Sequence, residues 1–126
     1  MSEIRDMASK FNLGIMILLS VTLMFSGAAS AAKKKMKNIS VEKIMLHDSK
    51  FGQCMVYISQ KPTGVSCDRW LTLDCGAELS GSSKASANRK LNLLQLAKVT
   101  NGTVAATIND GKKINGYCLV EQVWLN

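Results

Sequence analysis

A chain of 126 residues makes at most one ordinary domain and leaves no room for a nucleotide-binding fold with a separate substrate domain. Its 47% apolar content with a single proline is globular, and fits neither a disordered nor a collagen-like chain. Sixteen Lys and Arg against nine Asp and Glu give +7, a basic protein that anionic partners attract without specificity.

The first segment reads as a leader. No charged residue occurs from Leu13 to Ala32, and the strongest apolar stretch runs from Ile15 to Phe25. Ala28-Ala29-Ser30-Ala31 then offers small residues at the −3 and −1 positions for cutting after Ala31, the layout of a secretory signal peptide over residues 1–31. A start at Met7 would leave a cleaner positive n-region, because Glu3 and Asp6 fall away. A membrane anchor is the competing reading, since the uncharged run reaches the roughly 20 residues that span a bilayer. Its second half is mostly Ser, Gly and Ala, however, and the Lys33, Lys34, Lys35 and Lys37 cluster beyond it disfavours export as an anchored tail. The expectation is an exported chain, periplasmic or secreted, with no permanent membrane span after cleavage.

Cys54, Cys67, Cys75 and Cys118 all lie beyond the leader. An even count in a small exported domain reads as a disulfide framework. A four-thiolate zinc site would bring its ligands in close pairs such as C-x-x-C, and here even the nearest two, Cys67 and Cys75, are far apart. No metal or cofactor is expected.

Residues 32–38 read as a solvated, Lys-rich arm, and residues 39–126 as the single domain. Ile39 to Asp48 predicts a first strand, closed by the turn signal Asp48-Ser49-Lys50-Phe51-Gly52. Cys54 to Ser59 predicts a second, ended at Lys61-Pro62-Thr63-Gly64, and Arg69 to Cys75 a third. Ser82 or Ser83 can cap a helix over Lys84 to Thr100, which has a broad apolar stripe and stops at Asn101-Gly102. Thr103 to Ile108 predicts a fourth strand, the Asn109–Gly116 segment a turn, and Tyr117 to Leu125 a fifth strand.

The order β-β-β-α-β-β is that of an OB-like, five-stranded Greek-key barrel: mainly β with one helix. Pairing strands two and three so that Val56 faces Leu73, Ile58 faces Leu71 and Cys54 faces Cys75 puts the apolar residues and the two cysteines on one side. In such a barrel strands three and five run parallel, which makes neighbours of Cys67 and Cys118. The topology therefore selects Cys54–Cys75 and Cys67–Cys118 from three connectivities. Loop closure gives about 3 to 4 kcal/mol per bridge as an upper figure, so folding should depend on oxidation.

Catalytic signals are weak. The lone histidine, His47, precedes Asp48, which on a strand points to the opposite face. The carboxylates are scattered, and no Walker, dinucleotide-binding, H-E-x-x-H or EF-hand pattern is present. The hairpin face opposite the core carries Tyr57, Ser59, Trp70 and Thr72, rings amid hydroxyls that suit a carbohydrate, peptide or nucleic-acid ligand. Alternatively Tyr57 and Trp70 pack under the helix or in a subunit interface. Specific nucleic-acid binding is not expected, because only Arg69 stands beside Trp70 and several stacking aromatics are usual.

The segments Gln53-Cys54-Met55-Val56-Tyr57, Leu73-Asp74-Cys75 and Thr100-Asn101-Gly102-Thr103-Val104 resemble the OB-fold B subunits of bacterial pentameric toxins, most closely the subtilase-cytotoxin type. The resemblance covers roughly residues 39–110, while Asn115-Gly116-Tyr117-Cys118 and the second bridge depart from it. It implies a secreted, non-enzymatic, oligomeric recognition module similar to glycan-binding subunits. The sequence thus points to an exported binding module for a glycan or cell-surface ligand. The alternative is a periplasmic or secreted accessory or inhibitor that binds a protein.

Overall fold

A computed structural model describes residues 32–126. The leader expected over residues 1–31, with its processing site, lies outside the described residues. Five strands and one helix follow in chain order: β1 (Lys33–Leu46), β2 (Cys54–Ile58), β3 (Trp70–Thr72), α1 (Lys84–Val99), β4 (Thr103–Ile114) and β5 (Tyr117–Leu125). The strands close into a barrel in the order β1-β2-β3-β5-β4, with β3 and β5 parallel and the other contacts antiparallel. This is the expected OB-like Greek-key arrangement.

β1 begins at Lys33, six residues before the start at Ile39 that the sequence predicts. Lys33 to Met36 pair with β4, opposite Asn109 to Ala106, so residues 33–38 belong to the barrel wall and are no solvated arm. Their charge hid the strand because alternate residues face water, with Met36 buried between exposed Lys35 and Lys37. The register shifts between Met36 and Ile39, where Asn38 takes a left-handed φ of 54°. A second shift falls between Val41 and Lys43. Two such bulges bend one long strand so that its first half pairs β4 and its second half β2.

Leu73 and Leu71 enter the core with Val56 and Ile58, as expected. The β2–β3 register differs, however: Met55 pairs with Thr72, Val56 with Leu71 and Tyr57 with Trp70. The ladder has slid by two residues, because β3 ends at Thr72 and Asp74 turns away with φ 56°. A slide of two preserves every facing, so the apolar pattern could not distinguish the registers. Cys54 bonds Cys75 across this offset with a Cα separation of 5.6 Å, and Cys67 bonds Cys118 at 5.7 Å.

Ser83 caps α1, its Oγ accepting from Ser86 N at 3.1 Å. Asn101, at φ 53°, ends it, and Gly102 N donates to Ala97 O at 2.8 Å. Leu91, Leu94 and Ala97 pack into the core with Ile39, Val104, Ile108 and Val120, so the helix plugs the barrel. Leu96 and Val99 stay exposed. β4 continues to Ile114, through residues whose Asn-Asp-Gly run predicts a turn. The shift between Asn109 and Lys113 is an irregularity in the ladder, stabilised by Gly111 N donating to Asn109 Oδ1 at 2.8 Å. No helix among the described residues is long and apolar enough to cross a membrane.

Candidate functional site

Rings and charge stand together at several places among the described residues, two of which include a tryptophan. On the first, the cross-strand pair Tyr57 and Trp70 has ring centroids 5.0 Å apart, and both side chains are half-buried. The Arg69 guanidinium lies 4.4 Å from the Tyr57 centroid and the Lys43 ammonium 5.3 Å from it. Arg69 is fixed in turn, with Nε donating to Ile58 O at 2.9 Å and its guanidinium paired with Glu42 Oε2 at 2.9 Å. Tyr57 is thereby engaged by three neighbours, which makes the cluster a clasp between β1, β2 and β3.

Ser59 and Thr72 do not open onto that cluster as ligand groups. Ser59 Oγ accepts from Ser40 N at 3.0 Å, while Ser59 N donates to Ser40 O at 3.0 Å, a reciprocal tie to β1. Thr72 is fully buried; its Oγ1 donates to Phe51 O at 3.0 Å and accepts from Asp74 N at 3.1 Å. Its facing matches the sequence reading, but the Phe51-Gly52 turn folds over it. His47 is exposed and structural, its Nδ1 accepting from Ser49 N at 3.2 Å and Lys50 N at 3.0 Å.

The second surface is a groove of about 570 Å³ between α1 and β5, joined to an arm of about 220 Å³. Its floor originates in a β-bulge. Thr107 pairs with Gln122 but Ile108 with Val120, so Glu121 is the extra residue. Val120 stays buried and Val123 packs on the core, while Glu121, Gln122 and Trp124 line the groove. From the helix come Ser86, Arg89, Lys90 and Leu93; Gly81, Ser82 and Lys112 line the arm.

Glu121 is held on both oxygens. Asn109 Nδ2 donates to Oε1 at 2.7 Å, and Lys33 pairs with Oε2 at 3.0 Å. The Asn109 hydrogen bond, with help from Lys33 and Lys112, keeps the carboxyl below its ordinary value against a smaller opposing effect of burial. Lys90 donates from Nζ to Val120 O at 2.8 Å. Burial pushes its ammonium below the usual lysine range and Lys112 adds to this, while Asp74 and Glu121 oppose it. Lys35 stands 4.9 Å from the Trp124 ring centroid. Lysines from the expected arm therefore stand beside this groove, on a wall that fixes them.

The sequence alone does not single out Glu121 or Trp124 as site residues. The available signal was Val120-Glu121-Gln122-Val123, where two consecutive polar residues interrupt the strand alternation as a bulge does. Among the described residues no group of three His, Cys, Asp or Glu could hold a metal ion. Compared with protein families, curated proteins and solved structures, the chain has no match. Fold and surfaces together define a small, doubly disulfide-bonded β-barrel.

Proposed function

We propose that this protein is an exported, non-enzymatic binding module whose ligand, a glycan, sits in the groove between α1 and β5. The observation that carries the reading is the bulge at Glu121, which opens a wall of polar groups next to Trp124. A volume near 570 Å³ falls within the range of roughly 300–1,000 Å³ typical of ligand sites. An indole supplies a flat apolar face for a sugar ring, and Gln122, Ser86 and Lys90 supply directional partners beside it. Both oxygens of Glu121 are engaged, which suits it to shaping the groove more than to moving protons. Two disulfides support export, because such bonds persist in oxidising compartments.

A second reading is favoured by the Tyr57–Trp70–Arg69 cluster, because Trp, Tyr and Arg are the residues that anchor protein interfaces. Here the partner would be a protein, docked on β2 and β3. Glycan-array and titration experiments on one pair of variants locate the glycan site, whereas no glycan binding together with a co-purifying protein that is lost on Trp70→Ala would favour the second reading. Trp124→Ala should weaken glycan binding several-fold without unfolding the barrel. Glycan binding that survives Trp124→Ala and disappears with Trp70→Ala would move the site to the clasp.

A further inference from the structure

The charges around the groove are unequal. Arg89, Lys90 and Lys112 line it or its arm, and Lys33 and Lys35 stand over its strand side; Glu121 is the one carboxylate in its lining. That carboxylate is already taken by Asn109 and Lys33. The cations are less fully used. Arg89 is exposed and donates from Nε to its own helix, at Ala85 O, 3.3 Å away, while none of the ion pairs among the described residues includes it. The planar end of its guanidinium is thus free to grip an oxyanion with two parallel bonds. Lys90 commits one of its three protons to Val120 O; Lys112 commits one to Ser80 O and stands 3.9 Å from Glu121 Oε1, a longer contact than the Lys33 pair that holds the other oxygen.

We propose that the groove binds an acidic polysaccharide, a chain whose successive sugars carry carboxylate or sulfate groups. This rests on the glycan reading above and names the class. Trp124 takes the apolar face of one sugar ring, Arg89 and Lys90 take its anionic group, and Lys112 takes the next along the arm. A peptide is the poorer fit, because an extended chain gains most of its hydrogen bonds by adding to a free sheet edge. The strands close into a barrel, and at the groove the Val120 carbonyl of β5 is already taken by Lys90 Nζ.

The test is titration calorimetry on the disulfide-bonded protein with four probes of equal length: oligogalacturonate, a sulfated dextran oligomer, neutral dextran and polyphosphate. Binding of either acidic saccharide should exceed that of neutral dextran by tenfold or more and weaken steadily as salt rises, because screening shortens the reach of each cation. Comparing the two identifies the anionic group. Arg89→Gln combined with Lys112→Gln should lower acidic-saccharide affinity at least tenfold with the melting temperature retained. Lys43→Gln, on the clasp face, should leave it unchanged.

Neutral dextran binding as tightly as the acidic chains would overturn the charge inference while leaving a glycan site in place. Polyphosphate matching the saccharides, with no loss on Trp124→Ala, would reduce the groove to a generic anion surface and overturn the saccharide class. No binding by any of the saccharides, with the barrel shown folded by its melting transition, would sink both the class and the glycan reading.

Discussion

Asn109 Nδ2 donates to Glu121 Oε1 at 2.7 Å, joining the irregularity of β4 to the bulge of β5. Asn109 is buried and the Glu121 side chain is only 18% exposed, so this charge-assisted bond is largely sheltered from water. The folded carboxyl therefore holds its proton more weakly than the unfolded chain, whose value is near 4.5. Between the lowered folded value and 4.5, the unfolded state carries more protons. The stabilisation is thus complete above about 4.5 and is lost as pH falls through the folded value. Glu121→Gln should cost about 1 to 2 kcal/mol at neutral pH, the scale of a hydrogen bond to a charged group. In thermal melts the gap from the native protein should close in strong acid. A gap that persists unchanged at pH 2 would show that the charge contributes nothing.

The two disulfides close loops of unequal length, with separations of 21 and 51 residues. Chain entropy gives about 3 kcal/mol for the shorter and about 4 for the longer, each as an upper figure. Cys67→Ala with Cys118→Ala should therefore lower stability more than Cys54→Ala with Cys75→Ala if entropy dominates. Urea midpoints on the two double variants decide it. The reverse order could come from neither entropy nor burial, since Cys118 is 0% and Cys67 7% exposed while Cys75 is only partly buried, and would point to residual structure in the unfolded chain.

Trp70 is half-buried, its ring tilted 54° to that of Tyr57, and is not sealed within the core. Full truncation of a core tryptophan costs about 3 to 5 kcal/mol. Trp70→Ala should fall below that, near 2 kcal/mol, from lost area and the ring pair. A melting-temperature drop as large as that of Leu71→Ala, a residue 1% exposed, would show that the ring is core after all.

Local signals in the chain were legible where period and punctuation agree. Tyr117–Leu125 and the helix beginning at Lys84 appear at their expected starts, and Asn101 supplies the left-handed stop. The cysteine connectivity was also legible, because the parallel β3–β5 contact constrains Cys67 and Cys118 whatever the hairpin register. Non-local features were not. A two-residue slide leaves the alternation of Val56, Ile58, Leu71 and Leu73 unaltered. Thr72 faces outward as expected, yet what covers it is a turn some twenty residues earlier. Asn109-Asp110-Gly111 has turn composition, but in a barrel the same residues serve a break in the ladder. The groove draws on β5, α1 and the outward lysines of β1, which only the closed barrel brings together.

The turn that covers Thr72 depends on Gly52. This residue is buried with φ +70°, and a Cβ there would collide with Thr72 Oγ1 and lie 2.9 Å from Ile114 Cδ1 and 3.1 Å from the Asp74 backbone. Thr72 cannot rotate away freely, since its hydroxyl bridges Phe51 O and Asp74 N. Gly52 O also accepts from Gly76 N at 3.2 Å, which ties the turn to the segment after β3. Gly52→Ala therefore adds a steric conflict to the conformational cost of a left-handed side chain, about 1 to 2 kcal/mol by itself. Gly64 provides the internal control, with φ +76° and nothing within 4 Å of its added Cβ. Gly64→Ala should show the conformational cost alone, and Gly52→Ala a further 1 to 3 kcal/mol from overpacking. Equal losses in urea denaturation would mean that the turn yields without strain, and that Thr72 is less firmly enclosed than its hydrogen bonds imply.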